Sequence, residues 1–252
     1  MRCLLLLLLF VPLAVLAASR IDLEVVERAD QDPVLFTQGF ELYRDHFYVS
    51  SGLYGKSYLS RFAVNGTGKQ QRLDVPPNVF AEGLTIFNGD LFLVSWKAQQ
   101  AWRFDADTLQ LEKSFHYGGE GWGLAHNDTQ LILSDGSDTI KFIDPATFTV
   151  VRSIKVTENG LPVARLNELE FAKDLIWANQ WKSNLVFAID PDTGNVVFTV
   201  DVTTLQAESA VNQIDSVSNG IAYDAERDLF WLTGKYWQHR YLVRLLLPES
   251  DE

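Results

Sequence analysis

The sequence predicts an all-β fold, a five-bladed β-propeller with four antiparallel strands per blade and a ring closed by an N-terminal strand. Three observations carry that expectation. One short motif recurs five times, as Gln38-Gly39-Phe40, Glu82-Gly83-Leu84, Trp122-Gly123-Leu124, Asn167-Glu168-Leu169 and Asn219-Gly220-Ile221, at spacings of 44, 40, 45 and 52 residues. Each copy is followed by further short apolar runs separated by turn residues, as in blades built from four-stranded meanders. Aromatic residues make up 12% of the 252, while helical periodicity is weak everywhere except around Thr203 to Val211. A β-sandwich would leave the five-fold recurrence unexplained.

From the N terminus, Arg2, the 13-residue apolar run Leu4 to Leu16 and the small residues Ala17-Ala18-Ser19 read as a secretory signal peptide over residues 1–18. Such a run is too short for a comfortable membrane span. The expected destination is secreted or otherwise extracytoplasmic. Residues 19–252 are expected to form one propeller domain that is not embedded in a membrane. The single cysteine, Cys3, lies in the signal, so the mature chain has no thiol for a disulfide or a cysteine metal site. Without Arg2, 20 basic residues face 33 acidic ones. That balance argues against nucleic acid and anionic membrane as partners. Asn65-Gly66-Thr67 and Asn127-Asp128-Thr129 fit the glycosylation acceptor pattern.

The strands follow in order. Ile21 to Glu27 is expected to supply the edge strand that closes the ring, because the fifth unit lacks a fourth strand of its own beyond Tyr241 to Leu247. In each blade the motif opens the first strand. A second run follows, such as Phe47-Tyr48-Val49, Leu91-Phe92-Leu93-Val94 or Leu229-Phe230-Trp231-Leu232. In the second blade Asn88-Gly89 is the tight turn between the two. Third strands include Tyr58 to Phe62 and Leu185 to Ile189, and Asp-led turns at Asp105, Asp144 and Asp190 lead into the fourth.

First strands line a propeller axis, so Gln38, Glu82, Trp122, Asn167 and Asn219 are expected around one mouth of the channel. Second strands return to the same rim, bringing Leu53, Trp96, Asp135, Trp181 and Lys235. Phe36 and Phe80, two residues before the ring position, share its face. An aromatic rim with a few convergent polar groups suits a small-ligand site. The plainer alternative is a glutamate bonded to channel water and tryptophans that only pack between blades. The four histidines show no metal-ligand spacing, and no metal site is expected.

Taken in order, the words Phe36-Thr37-Gln38-Gly39, Ser51-Gly52-Leu53-Tyr54-Gly55, Glu82-Gly83-Leu84-Thr85, Gly119-Glu120-Gly121-Trp122-Gly123-Leu124 and Ser134-Asp135-Gly136 resemble the plant and bacterial type of glutaminyl-peptide cyclotransferases (glutaminyl cyclases). Leu166-Asn167-Glu168-Leu169-Glu170, Ala178-Asn179-Gln180-Trp181, Asn219-Gly220-Ile221-Ala222-Tyr223-Asp224 and Thr233-Gly234-Lys235-Tyr236-Trp237 extend the likeness over nearly all of residues 33–245. Departures fall at Val49, Phe40 and Gln238. The resemblance implies a five-bladed propeller that closes the N-terminal glutamine of peptides or proteins to pyroglutamate and releases ammonia, with no metal and no cofactor. Its site residues map onto Phe36, Gln38, Phe80, Glu82, Trp96, Trp122, Asn167, Trp181 and Lys235. Glu82 is the expected acid/base, and Gln38, Asn167 or Lys235 the expected oxyanion donor. Two other classes also fit such a rim: a non-catalytic carbohydrate- or peptide-binding propeller, and a calcium-dependent lactonase propeller.

Overall fold

The computed structural model describes residues 18–67, 69–211 and 214–248. The expected signal peptide, except for Ala18, lies outside the described residues. The chain begins with β1 (Ser19–Ile21) and β2 (Leu23–Asp30). Blade one is β3 (Thr37–Tyr43), β4 (His46–Ser51), β5 (Tyr58–Ala63) and β6 (Gln71–Asp74). Blade two is β7 (Ala81–Phe87), β8 (Asp90–Ser95), β9 (Gln100–Asp105) and β10 (Leu111–His116). Blade three is β11 (Leu124–His126), β12 (Leu131–Ser134), β13 (Thr139–Ile143) and β14 (Val150–Lys155). A small hairpin, β15 (Thr157–Glu158) and β16 (Leu161–Pro162), precedes blade four, which is β17 (Leu166–Ala172), β18 (Leu175–Gln180), β19 (Leu185–Ile189) and β20 (Val196–Asp201). One short helix, α1 (Thr203–Ser209), follows where helical periodicity was expected. Blade five is β21 (Ser218–Asp224), β22 (Leu229–Gly234) and β23 (His239–Leu245). The first strands β3, β7, β11, β17 and β21 each contact the next in a closed ring, which defines the axis.

Local chemistry accounts for the meander. Asn88 and Gly89 both take positive φ, 54° and 87°, as a two-residue hairpin with the strand's own twist requires. The Oδ1 atoms of Asp105, Asp144 and Asp190 accept the backbone N–H three residues on, at 2.7, 2.8 and 2.7 Å. Apolar side chains of adjacent sheets fill the space between blades. Trp177, Val200, Ile221, Phe230 and Val243, for example, share one cluster.

Ring closure differs in detail from the expected edge strand over Ile21 to Glu27. The strand that completes blade five is Leu23–Asp30, paired antiparallel with β23 from Leu23 opposite Leu245 to Asp30 opposite His239. Ser19–Ile21 instead pairs in parallel with β20 of blade four. The cause is Ile21, which is buried in the apolar seam between blades four and five. Asp22 is the crossing point, and its carbonyl accepts the Leu246 N–H at 2.9 Å.

In four of the five blades the motif is a β-bulge. Register shifts fall between Thr37 and Gly39, Ala81 and Leu84, Leu166 and Leu169, and Ser218 and Ile221. A bulge frees a residue from the ladder and re-aims its side chain. The glycines that follow allow the first strands to approach closely: a Cβ at Gly39 would strike the Leu84 backbone, and one at Gly83 or Gly123 the backbone of the next blade. Blade four carries Glu168 at this position, and its buried carboxylate spans the axis. Oε1 accepts the Phe40 N–H at 3.2 Å and Oε2 the Ile221 N–H at 2.8 Å.

The next layer is also polar and bonded from blade to blade. Thr85 Oγ1 donates to Glu41 at 2.9 Å and lies 2.8 Å from His126 Nδ1, while Glu170 Oε2 accepts the Tyr223 N–H at 3.0 Å. Burial lifts Glu170 to about 7 against the backbone donors that hold it. Glu168 and Glu41 are raised well above the ordinary carboxylate value, by desolvation first and by Glu170 second. The folded chain thus holds protons that the unfolded chain releases. This contribution to stability is full below the ordinary carboxylate range and lost as pH rises through about 7. Burial moves His126 the opposite way, and Lys235, lowered to about 8, opposes only at the top of the range, while Glu82 adds a fourth raised carboxyl to the three. The melting temperature is therefore expected to fall between pH 5.5 and 8, each linked proton being worth about 1.4 kcal/mol per pH unit. Thermal unfolding followed by circular dichroism checks this, and a flat or rising melting temperature across that range would contradict it.

Candidate active site

The hairpin of β7 and β8 builds the centre of the site. Trp96 N–H donates to the Phe80 carbonyl at 3.0 Å, which fixes the two aromatic residues at adjoining strand ends. The bulge between them and the body of β7 turns Glu82 toward the axis. At this mouth lies a cavity of about 370 Å³ lined by all nine residues expected from sequence: Phe36, Gln38, Phe80, Glu82, Trp96, Trp122, Asn167, Trp181 and Lys235. Leu53 and Asp215 complete the lining.

The aromatic walls are edge-to-face arrays. Phe36 meets Phe80 at 6.1 Å, Phe80 meets Trp96 at 5.6 Å, and Trp122 meets Trp181 at 5.6 Å between ring centroids. Glycines make room for them. A Cβ at Gly52 would run into the Phe80 ring, and one at Gly136 into the Trp122 indole. Trp122 stands just ahead of β11 rather than on it. The Asp135 carboxylate, expected on the rim, instead pairs with Lys141 at 2.8 Å and does not line the cavity.

The polar groups divide by whether they have protein partners. Gln38 Nε2 donates to Glu82 Oε1 at 3.4 Å, and Gln38 Oε1 accepts from Asn219 Nδ2 at 3.4 Å. Asn219 Nδ2 also donates to the Thr37 carbonyl at 2.9 Å. Asn219 is therefore not part of the mouth, as the ring of five had implied; fully buried, it braces Gln38 from behind. Asn167 is buried, and its Oδ1 has no hydrogen-bond partner among the described residues. Lys235, 4% exposed, makes no ion pair among the described residues, and its Nζ lies 4.8 Å from the Phe36 ring centroid.

Electrostatics follow from burial. Desolvation raises Glu82 well above the ordinary carboxylate value; Lys235 opposes this and Glu120 adds to it. Desolvation lowers Lys235 to about 8, against the pull of Glu82 and Asp215. An acid moved up and a base moved down in one cavity are brought toward each other on the pH scale.

The model of the glutamine cyclotransferase family matches residues 6–245 of this sequence. The chain belongs to that family. It is 37% identical over 231 residues to a glutaminyl-peptide cyclotransferase of Arabidopsis thaliana, an alignment spanning 89% of this chain and 71% of that one. Its fold matches the crystal structure of Myxococcus xanthus glutaminyl cyclase with a TM-score of 0.83 at 31% identity, over 90% of this chain and 98% of that one. The residues at which this family member departs from the expected words lie away from the cavity. Val49 is core, Phe40 stacks on Phe47 at 4.9 Å, and Gln238 donates its backbone N–H to Ser209.

Leu53 had a signal, since it closely follows the second strand of blade one, but nothing local announces its left-handed φ of 98°. Asp215 lies in a connection outside the repeat and carried no signal at all. The two tryptophans of β18 and its end test the assignment of walls and core. Trp177 is fully buried, whereas Trp181 is partly exposed at the cavity. Trp177→Ala is expected to cost about 3–5 kcal/mol in urea unfolding, the usual range for a buried aromatic, and Trp181→Ala under half of that. Equal losses would make Trp181 a packing residue.

Proposed function

We propose that this protein converts the N-terminal glutamine of peptides or proteins to pyroglutamate with release of ammonia, without metal or cofactor, using Glu82 as a single shuttling acid and base. The observation that carries this reading is a buried carboxyl, Glu82, and a buried amine, Lys235, lining one aromatic-walled cavity without pairing with each other. Glu82 is driven up and Lys235 down to about 8, each by burial first. Family membership and the names of the Arabidopsis and Myxococcus relatives support the substrate.

The substrate reacts as its free amine, whose ordinary pKa of about 7.7–8.0 makes that form accessible near neutrality. Its α-nitrogen attacks the side-chain amide carbon of the same residue. The new N–C bond forms, the carbonyl electron pair moves onto oxygen, and the attacking nitrogen passes one proton to the Glu82 carboxylate. Glu82 returns that proton to the amide nitrogen, the old C–N bond breaks with its electron pair on nitrogen, the carbonyl reforms and ammonia leaves. No water is consumed and the enzyme ends with the protons it began with. A carboxyl of ordinary acidity would hold the proton too weakly to carry it between two nitrogens; the raised Glu82 is matched to the task.

Of the oxyanion donors, Lys235 is favoured, because it is the one cation of the cavity lining and makes no ion pair among the described residues. The unpartnered Asn167 Oδ1 suits an N–H of the substrate amine or amide. The indoles enclose the side-chain methylenes, hold the chain folded back and exclude water, which favours ring closure over hydrolysis. No group of three or more His, Cys, Asp or Glu side chains is arranged to hold a metal ion among the described residues. We place the reaction in the secretory pathway or periplasm on the strength of residues 1–18.

A coupled ammonia-release assay on Gln-Phe, with Asn-Phe as control, tests the reading. Release is expected from Gln-Phe alone and unchanged after exhaustive treatment with EDTA and phenanthroline. Binding of Gln-Phe without ammonia release would leave a peptide-binding propeller. Loss on chelation with recovery on added zinc or calcium would overturn the metal-free mechanism.

A further inference from the structure

Between the two tryptophan walls stands a carboxylate that the mechanism does not use. Glu120 lies in the connection from β10 to β11, flanked by Gly119 at φ +90° and by Gly121. The Gly121 N–H donates to the Trp96 carbonyl at 3.1 Å, and a Cβ at Gly121 would strike the Tyr117 hydroxyl. The backbone around Glu120 is thereby held against the end of β8. One oxygen of its side chain, Oε2, accepts both indole N–H groups, from Trp96 at 2.8 Å and from Trp122 at 3.0 Å. The other, Oε1, lies 3.6 Å from Lys97 Nζ, and that amine sits 4.0 Å over the Trp96 ring.

We infer that Glu120 is a positioning residue that fixes the two indoles of neighbouring blades in one orientation and so sets the width of the cavity for the substrate side chain. Trp96 projects from blade two and Trp122 from blade three, and each also leans on a different ring, Phe80 or Trp181. No other hydrogen bond ties these two side chains together among the described residues. An indole N–H can only donate, so a shared acceptor decides where both rings point. Partial burial pushes the Glu120 carboxyl up, but the two indole donors and Lys97 outweigh it and hold the group below its ordinary value. It therefore stays ionised, and both hydrogen bonds stay charge-assisted, across the working range. Its charge is felt by Glu82 and by the Tyr117 phenol, Lys97 faces it directly, and the Lys141 amine, paired with Asp135, lies near Gly119.

The plainer alternative is a rim ion pair with Lys97 whose loss changes little. Two readouts separate the cases, and only the second rests on the cyclisation reading. In wild-type protein labelled with ¹⁵N-tryptophan, two of the seven indole N–H resonances, assigned as Trp96 and Trp122 by single Phe replacements, are expected to move together as one carboxyl titrates below the ordinary glutamate value. Glu120→Ala should shift both and abolish that titration. In steady-state kinetics on Gln-Phe, Glu120→Ala should raise KM by about tenfold or more, the scale of misplaced contacts. Glu120→Gln keeps an acceptor and should return KM to within about threefold of wild type. Lys97→Ala should leave KM near wild type and both indoles still moving together, with the titration shifted up toward the ordinary glutamate value. Indole resonances that ignore the carboxyl titration, or a Glu120→Ala variant with unchanged indoles and KM, would overturn the assignment. If wild type releases no ammonia, the cyclisation reading fails, while the indole titration still decides the role of Glu120.

Discussion

The structure turns on how closely the five first strands approach one another at the axis. Side chains at the second position of the repeated motif would collide there, so four blades carry glycine and one carries a side chain that reaches across to its neighbours. That side chain, Glu168, joins blades one, four and five through two backbone N–H bonds. Such donors, buried without an acceptor, would cost about 1–3 kcal/mol each. The same bulges that bring the strands together release Gln38, Glu82 and Asn167 from the sheet ladders and collect them at one mouth. Packing at the axis and assembly of the cavity are thus one geometric event.

Burial then sets the chemistry. Glu82 and Lys235 share a cavity but form no ion pair, so neither fully offsets the other's desolvation. Desolvation outweighs the mutual attraction on both sides, and the two groups are pushed toward each other on the pH scale. A tight salt bridge would have done the reverse and left an inert pair. The aromatic walls contribute twice, by keeping solvent from the carboxyl and by shaping a space for an aliphatic side chain that ends in an amide.

Much of this was legible in the sequence because it is written locally. Asn88-Gly89, the Asp-led turns and the five-fold motif each declare a turn or a strand start within a few residues, and the order of those signals is the propeller. The nine cavity residues were legible for the same reason, since period-two alternation and antiparallel return place them on one rim without further contacts. What escaped depends on tertiary contacts. Ile21 leaves the closing strand because an apolar seam between two blades receives it, which no window around Ile21 reveals. Asn219 occupies a ring position in the repeat yet spends its amide on Thr37 and Gln38. Glu168 aligned with a column of glycines, but that its side chain would cross the axis follows only from the approach of the other blades. Asp215 lies outside the repeat altogether.

In the proposed reaction Glu82 carries a proton between two nitrogens of one residue. The most direct measurement is kcat for Gln-Phe in wild type and Glu82→Gln, together with the melting temperature of each. The amide keeps the size of the side chain and its contact with Gln38, but cannot accept and return a proton. A folded variant that still binds Gln-Phe is expected, with kcat lowered by about 10²–10⁴, the range of general acid/base catalysis. A folded variant retaining more than about a tenth of the wild-type kcat would fall outside that range and contradict the claim.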